Sequence, residues 1–111
     1  MAEAKFPIAR KARRFSFIAE AEVMRPSDGT HVAARISKLS AQGCYVDTIN
    51  RFPLATELLL RIRYGCSSCE LPGKVIYTHS GCGIGVLFGD IAAENRLTLN
   101  AWLDELSRKS G

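Results

Sequence analysis

The fold class of the chain is set by the stretch Phe15-Ser16-Phe17-Ile18-Ala19-Glu20-Ala21-Glu22-Val23. Every second residue from Phe15 to Val23 is apolar, and serine or glutamate fills most of the positions between them. A period of two residues indicates a β-strand with one face buried. The turn signal Pro26-Ser27-Asp28-Gly29 follows, so the strand is predicted to end there.

Five segments farther along the chain are predicted as further strands. They cover residues 32–37, 44–47, 58–63, 71–77 and 84–88. Turn signals stand between several of them, at residues 50–53, 65–69 and 81–83. Six short strands in antiparallel order predict a mainly β fold, a small antiparallel β-barrel.

The hydrophobic period changes near the C-terminus, which predicts a helix. Apolar residues recur there at steps of three and four, at Leu99, Trp102, Leu103 and Leu106. We expect an amphipathic helix over about residues 91–108, with Asp90 as its N-cap. Trp102 is expected to pack against the barrel, so that residues 15–108 form one domain closed by this helix.

Positive charge is concentrated at the N-terminus. The formal net charge of the 111 residues is +4, and the segment 5–14 alone contains Lys5, Arg10, Lys11, Arg13 and Arg14. Residues 1–14 are predicted to form a flexible basic arm. Nucleic-acid-binding proteins usually carry basic residues along a whole face. The local cluster therefore favours a small anionic ligand, and a nucleic-acid partner is not expected.

The chain is expected to be cytoplasmic. It has no apolar run of the roughly 18 residues that a membrane span needs, and its first residues lack the apolar core of a secretory signal. We therefore expect no membrane insertion. The four cysteines are then expected to be reduced thiols, with Cys44 as a small buried apolar side chain.

Two short segments together predict a phosphate site. Arg10-Lys11-Ala12-Arg13-Arg14 places four cations in five residues directly before the first strand. Leu39-Ser40-Ala41-Gln42-Gly43 follows the second strand as a Ser-x-x-Gly turn, in which backbone N–H groups can approach a ligand closely. Guanidinium groups bind phosphate through paired donors. The two segments are therefore predicted to act as a pair.

These residues resemble the PilZ domain family. The resemblance rests on Arg10-x-x-x-Arg14, on Ser40-x-x-Gly43 with Cys44-Tyr45-Val46 after it, and on the final strand segments 73–77 and 83–88. It extends over residues 10–107 and implies a split six-stranded barrel with a C-terminal helix. It also implies the ligand cyclic di-GMP, and thus a receptor in bacterial second-messenger signalling with a downstream protein partner.

The resemblance also implies which residues bind the ligand. Arg10 and Arg14 would contact phosphate or guanine O6 and N7, Ser40 would hydrogen-bond through its hydroxyl, and Gly43 would allow a positive φ or a close backbone approach. Arg13 and Lys38 complete the predicted set. Lys38 stands where the family usually has Asp or Asn, so an ammonium group that only donates replaces an acceptor.

The same sequence features leave two other functions open. A protein-binding adaptor of the same fold, without nucleotide binding, is the main alternative, and a barrel that binds single-stranded nucleic acid is a weaker one. Cys66-x-x-Cys69 and His79-x-x-Cys82 have zinc-like spacing. A strand between them would hold the two pairs apart, so no metal is expected. No catalytic triad, carboxylate pair or P-loop is present, so we do not expect an enzyme.

Overall fold

The computed structural model of the protein describes residues 13–110. The strands are β1 (Phe15–Arg25), β2 (Thr30–Leu39), β3 (Gly43–Asp47), β4 (Glu57–Tyr64), β5 (Ser67–His79) and β6 (Gly83–Phe88). One helix follows them, α1 (Ala93–Ser110). The strands close into an antiparallel barrel in the order β1-β2-β3-β6-β5-β4. The predicted fold, a six-stranded barrel with a C-terminal helix, is confirmed.

The alternation in the sequence decides which side chains fill the barrel. In β1, Phe17, Ala19, Ala21 and Val23 are all buried, and the residues between them are exposed. Strand β4 repeats the pattern, with Leu58, Leu60 and Ile62 in the core. Each fully buried apolar side chain of this size contributes ~1.5–3 kcal/mol through loss of contact with water. The barrel interior is therefore the hydrophobic core of the domain.

Helix α1 packs against β5 and β1 through the face that its spacing predicts. Leu99 and Trp102 are buried, and Leu103 and Leu106 are partly buried against the core. The Trp102 ring lies 5.5 Å from the Phe17 ring and 5.7 Å from the Tyr64 ring, measured between centroids. No helix within the described residues is long and apolar enough to cross a membrane.

The predicted start of the helix is wrong by two residues. The helix begins at Ala93, and the Arg96 N–H donates to the Ala92 carbonyl oxygen at 2.9 Å. Ala92 thus takes the N-cap position that we predicted for Asp90. Between the two, Ile91 is partly buried against the core, which holds the incoming chain in a non-helical conformation for longer than the sequence suggests.

The turn predicted at residues 65–69 is also shorter than expected. Tyr64 pairs directly with Ser67, so the loop consists of Gly65 and Cys66 alone. A two-residue hairpin loop needs positive φ values, and Gly65 supplies one at 63°. Cys69 consequently lies within β5, where it is buried and its Sγ donates to the Asn95 carbonyl oxygen of α1 at 3.3 Å.

Candidate functional site

The turn between β2 and β3 is held together by the Ser40 side chain. The Ser40 hydroxyl accepts the N–H groups of Gln42 at 3.2 Å and of Gly43 at 3.1 Å. It also donates to the Gly43 carbonyl oxygen at 3.2 Å. Ser40 is buried, with only 3% of its surface exposed. The hydroxyl and both N–H groups are thus engaged within the turn. The ligand contact predicted for Ser40 stays a prediction.

Two other elements fix the position of this turn on the barrel. The Phe88 N–H at the end of β6 donates to the Gln42 carbonyl oxygen at 2.8 Å. Nη1 of Arg96, in the first part of α1, donates to the Ala41 carbonyl oxygen at 3.2 Å. The carbonyl oxygens of the turn are therefore held by a strand and by the helix, so the turn has a defined orientation.

Gly43 is required for a close approach of two strands. It does not have a positive φ, so the first of its two predicted roles does not apply. A Cβ at this position would collide with the carbonyl oxygen of Val86, on the paired strand β6. The close approach at Gly43 is thus to the backbone of β6. The ligand contact predicted for Gly43 stays a prediction.

A β-bulge in β2 turns Lys38 away from the core. Ile36 pairs with Val46 and Lys38 pairs with Tyr45, so β2 has one residue more than β3 in this interval. In an unbroken strand, Lys38 would share the inward face with Ile36. The bulge instead keeps Ile36 and Leu39 fully buried and leaves Lys38 exposed. Bulges commonly re-aim a side chain beside a functional site in this way.

A second bulge, in β5, builds an aromatic wall. Val75 pairs with Val86 and Tyr77 with Gly85, so Ile76 is the extra residue. The Tyr77 ring lies over Gly85, where a Cβ would collide with it. The Tyr45 ring stacks on the Tyr77 ring with 6.2 Å between centroids, and the Tyr45 hydroxyl hydrogen-bonds Nδ1 of His79 at 3.0 Å. The pKa of the Tyr45 phenol is raised, and the largest cause is burial.

The bulges, the turn and the start of the described chain enclose one pocket. Its cavity volume is about 60 Å³. The lining residues come from the segment before β1 and from β2, β3, β5 and β6, and they are Arg14, Lys38, Leu39, Ser40, Gly43, Cys44, Tyr45, Ile76, Tyr77, Gly85 and Val86. The structure thus brings together four predicted site residues: Arg14, Lys38, Ser40 and Gly43.

Two cations at this pocket have no partner among residues 13–110. Arg14 and Lys38 are exposed, and neither side chain makes an ion pair or a hydrogen bond with another described residue. Most other cations of the described chain are paired with carboxylates, namely Arg25, Arg35, Arg61, Arg63, Arg108 and Lys109. The pocket therefore combines uncompensated positive charge with aromatic walls, which suits a planar anion.

The remaining predicted site residues lie elsewhere. The Arg13 guanidinium lies 5.0 Å from the centre of the Phe15 ring, next to a cavity on the helix side that Ala41 and Asp104 also line. Arg13 therefore does not line the pocket of Arg14. Arg10, like the rest of the predicted arm before residue 13, lies outside the described residues.

Sequence reasoning missed the aromatic wall. The sequence pattern places Tyr45 and Tyr77 in strands, but a strand pattern does not reveal which side chains meet across β6. A signal was available in Gly83-Ile84-Gly85, where glycines alternate with a buried residue. Glycine on the outer face of a strand often marks a place where another group approaches closely.

Of the four cysteines, Cys44 lines the pocket, and Cys66, Cys69 and Cys82 do not. Cys66 and Cys82 are exposed in turns, and Cys44 and Cys69 are buried. The predicted burial of Cys44 is confirmed, and burial raises the pKa of its thiol. No group of three or more His, Cys, Asp or Glu residues in the described part of the chain is arranged to hold a metal ion.

Comparison with known proteins decides the family. The family model described as PilZ domain matches residues 9–105. The chain belongs to the PilZ domain family. The match includes all the residues that line the pocket, as well as Arg10, Arg13 and most of α1. No curated protein sequence matches the chain significantly.

Solved PilZ structures share the fold at low identity. The PilZ domain of CeSA from a cellulose-synthesizing bacterium aligns with a TM-score of 0.68 and 18% identity, over 86% of this chain and 98% of that one. The PilZ domain of YcgR from Escherichia coli, with c-di-GMP, gives a TM-score of 0.74 and 13% identity, over 91% and 93% of the two chains. At these identities the two comparisons show the shared fold.

One similar structure belongs to a larger protein. The inhibitor of motility MotI/DgrA of Bacillus subtilis has a TM-score of 0.74 and 18% identity to this chain. The alignment covers 91% of this chain and 51% of that protein, so the chain spans about half of its length. At these identities the comparison establishes the shared barrel.

Proposed function

We propose that this PilZ domain binds cyclic di-GMP at the pocket of Arg14, Lys38, Tyr45 and Tyr77, and that it serves as a regulatory receptor in the bacterial cytoplasm. The observation that carries the proposal is the pair of uncompensated cations, Arg14 and Lys38, beside the aromatic wall. No catalytic step is assigned to the domain.

Charge is the first support for this ligand. Cyclic di-GMP carries two phosphodiester anions, and Arg14 and Lys38 offer donors that no described carboxylate occupies. A charge-assisted hydrogen bond contributes ~1.5–3 kcal/mol, about twice the value for a neutral pair. Arg10, four residues before Arg14, would supply a further guanidinium from the predicted arm.

Shape is the second support. The Tyr45 and Tyr77 rings form a surface beside the pocket, and Gly85 leaves the space that Tyr77 needs. Purine bases stack on such rings with ~1–3 kcal/mol per base. Anionic groups would then meet the cations at the start of β1 and on β2, while a base contacts the ring surface between β3 and β5.

The mechanism that follows is ordering of the arm. Arg14 lies directly before β1, so a ligand that contacts its guanidinium also constrains the chain ahead of it. The turn at residues 40–43 is already fixed by Phe88 and Arg96, so it acts as the rigid side of the site. A protein partner would read the altered surface near the arm.

Calorimetric titration with cyclic di-GMP tests the proposal. We expect Arg14→Ala to weaken binding about 10- to 100-fold, because one charged hydrogen-bonding group is lost. Arg51→Ala is the matched control: it removes an equal charge at an exposed residue that does not line the pocket. Equal affinity in the two variants would contradict the assignment of the site, and no heat with the wild-type protein would contradict the ligand.

A second candidate function is a protein-binding adaptor, and one surface favours it. Leu97 on α1 is 71% exposed and borders a groove that Tyr64 and Trp102 also line. Exposed apolar surface that extends over several neighbouring side chains marks protein interaction sites, and Leu97, Ala101 and Trp102 line this groove together. The titration separates the two candidates, since an adaptor without nucleotide binding gives no heat with cyclic di-GMP.

A further inference from the structure

The side chains of the described pocket lining offer charged donors but no charged acceptor. None of its side chains is a carboxylate or an amide. The Ser40 hydroxyl is engaged with Gln42 and Gly43, and the Tyr45 hydroxyl with His79. The Cys44 thiol is buried, and burial raises its pKa, so it remains a neutral, weakly polar group.

Guanine presents two different edges to such a site. The N1–H and N2–H₂ groups are donors and need acceptors from the protein, whereas O6 and N7 are acceptors and take hydrogen bonds from Arg or Lys. A carboxylate or amide in the site would read the donor edge. Arg14 and Lys38 have only N–H groups, so they match the acceptor edge and the phosphates.

Lys38 occupies the position from which a side chain of β2 can reach the ligand. The bulge after Ile36 turns it outward, and it pairs with Ser16 on one side and with Tyr45 on the other. Neither neighbour provides a carboxylate that would neutralise the ammonium group, and the structure shows no ion pair to Lys38 within residues 13–110.

We propose that Lys38 sets the base specificity of this site, so that the ligand is read through guanine O6 and N7 and through its phosphates, while the N1 and N2 donor edge is left unread. The inference rests on the proposed function, because it assumes that a cyclic dinucleotide occupies the pocket. It predicts that the N2 amino group contributes little to affinity, whereas O6 is required.

Three ligands in parallel calorimetric titrations test the inference: cyclic di-GMP, cyclic di-IMP and cyclic di-AMP. Hypoxanthine lacks the N2 amino group but keeps O6 and N7, so we expect cyclic di-IMP to bind within about threefold of cyclic di-GMP. Adenine carries an amino group at C6, where guanine has O6. A donor of the base would then face the donors of Arg14 and Lys38. We therefore expect cyclic di-AMP to bind at least about tenfold more weakly.

Two variants complete the test. Lys38→Asp introduces an acceptor, so we expect cyclic di-GMP to become preferred over cyclic di-IMP by about tenfold. Lys38→Met removes the charge on a side chain of similar length, and should weaken the binding of both ligands equally.

If the wild-type protein binds cyclic di-GMP but binds cyclic di-IMP more than about tenfold more weakly, the inference is wrong and the proposed function stands. If none of the three ligands binds, the proposed function fails and the inference fails with it.

Discussion

The Arg96 guanidinium donates from Nη1 to the carbonyl oxygen of Ala41 at 3.2 Å, and so connects helix α1 to the turn between β2 and β3. The two residues are 55 positions apart in the sequence. Together with the hydrogen bond from Phe88 to Gln42, this contact fixes the turn that forms one side of the pocket. The helix therefore supports the site without lining it.

Removal of the Arg96 side chain should loosen the turn. Arg96→Ala leaves the Ala41 carbonyl oxygen without its donor, so we expect a loss of about 1–2 kcal/mol in the free energy of unfolding. Hydrogen exchange of the Gly43 amide should become faster, since Ser40 then holds a less constrained turn. Urea denaturation and amide exchange measure the two effects.

Arg108→Ala provides the comparison for this change. Arg108 lies on the same helix and pairs with Asp104, four residues earlier, in an exposed ion pair. Such pairs contribute about 0.3–0.5 kcal/mol. If both variants lose the same stability and Gly43 exchange is unchanged in each, the supporting role of Arg96 is refuted.

Gly43→Ala should destabilise the barrel where β3 meets β6. The new Cβ would collide with the Val86 carbonyl oxygen, which is backbone and cannot move without a shift of the strand. We expect a loss of about 1–3 kcal/mol in the free energy of unfolding, measured by urea denaturation. Gly89→Ala is the control, since a Cβ there lies 3.9 Å from its nearest neighbour, the Pro72 carbonyl oxygen. Equal losses in both variants would show that the collision does not matter.

The thiols should divide into two classes by reactivity. Cys66 and Cys82 are exposed, whereas Cys44 and Cys69 are buried. The pKa of the Cys69 thiol is raised from 9.0 to about 11, and the largest cause is burial. Because the thiolate is the reactive form, a thiol reagent at pH 8 should modify Cys66 and Cys82 rapidly and the other two only on unfolding. Rapid modification of Cys69 in the folded protein would contradict its burial.

The raised pKa of Cys69 predicts how the free energy of unfolding depends on pH in the alkaline range. The Cys69 thiol stays protonated in the folded protein while the unfolded chain ionises near its usual pKa of 9.0. The stabilising contribution is therefore complete below pH 9.0 and decreases as the pH rises toward 11. Urea denaturation across this range measures the slope, and Cys66→Ser, a change at an exposed thiol, should leave it unaltered.

Much of the fold follows from short-range patterns in the sequence. The alternation in β1 and β4 and the helical spacing from Leu99 to Leu106 each show which face is buried, because the burial of a side chain depends on the period of its own element. The exact start of α1 does not follow, since it depends on how Ile91 packs against a core that forms from distant strands.

The site was predictable only in part. Arg14, Lys38, Ser40 and Gly43 meet at one pocket because two segments that the sequence singled out adjoin in the barrel. The bulges that aim Lys38 and Tyr77 outward arise from pairing with β3 and β6, and a single strand carries no sign of such an inserted residue. The contacts of the Ser40 hydroxyl, in contrast, are local: it accepts the N–H groups two and three residues ahead, as serine commonly does in turns.

Amide chemical-shift mapping with cyclic di-GMP tests the central claim most directly. We predict that the ligand shifts the backbone resonances of Lys38, Tyr45, Tyr77 and Gly85, which line the pocket, in the wild-type protein, and that Arg14→Ala needs a higher ligand concentration for the same shifts. The amide of Leu97, in the groove beside α1, serves as an internal control and should not move. Shifts confined to the Leu97 groove, or no shifts at a millimolar ligand concentration, would contradict the account.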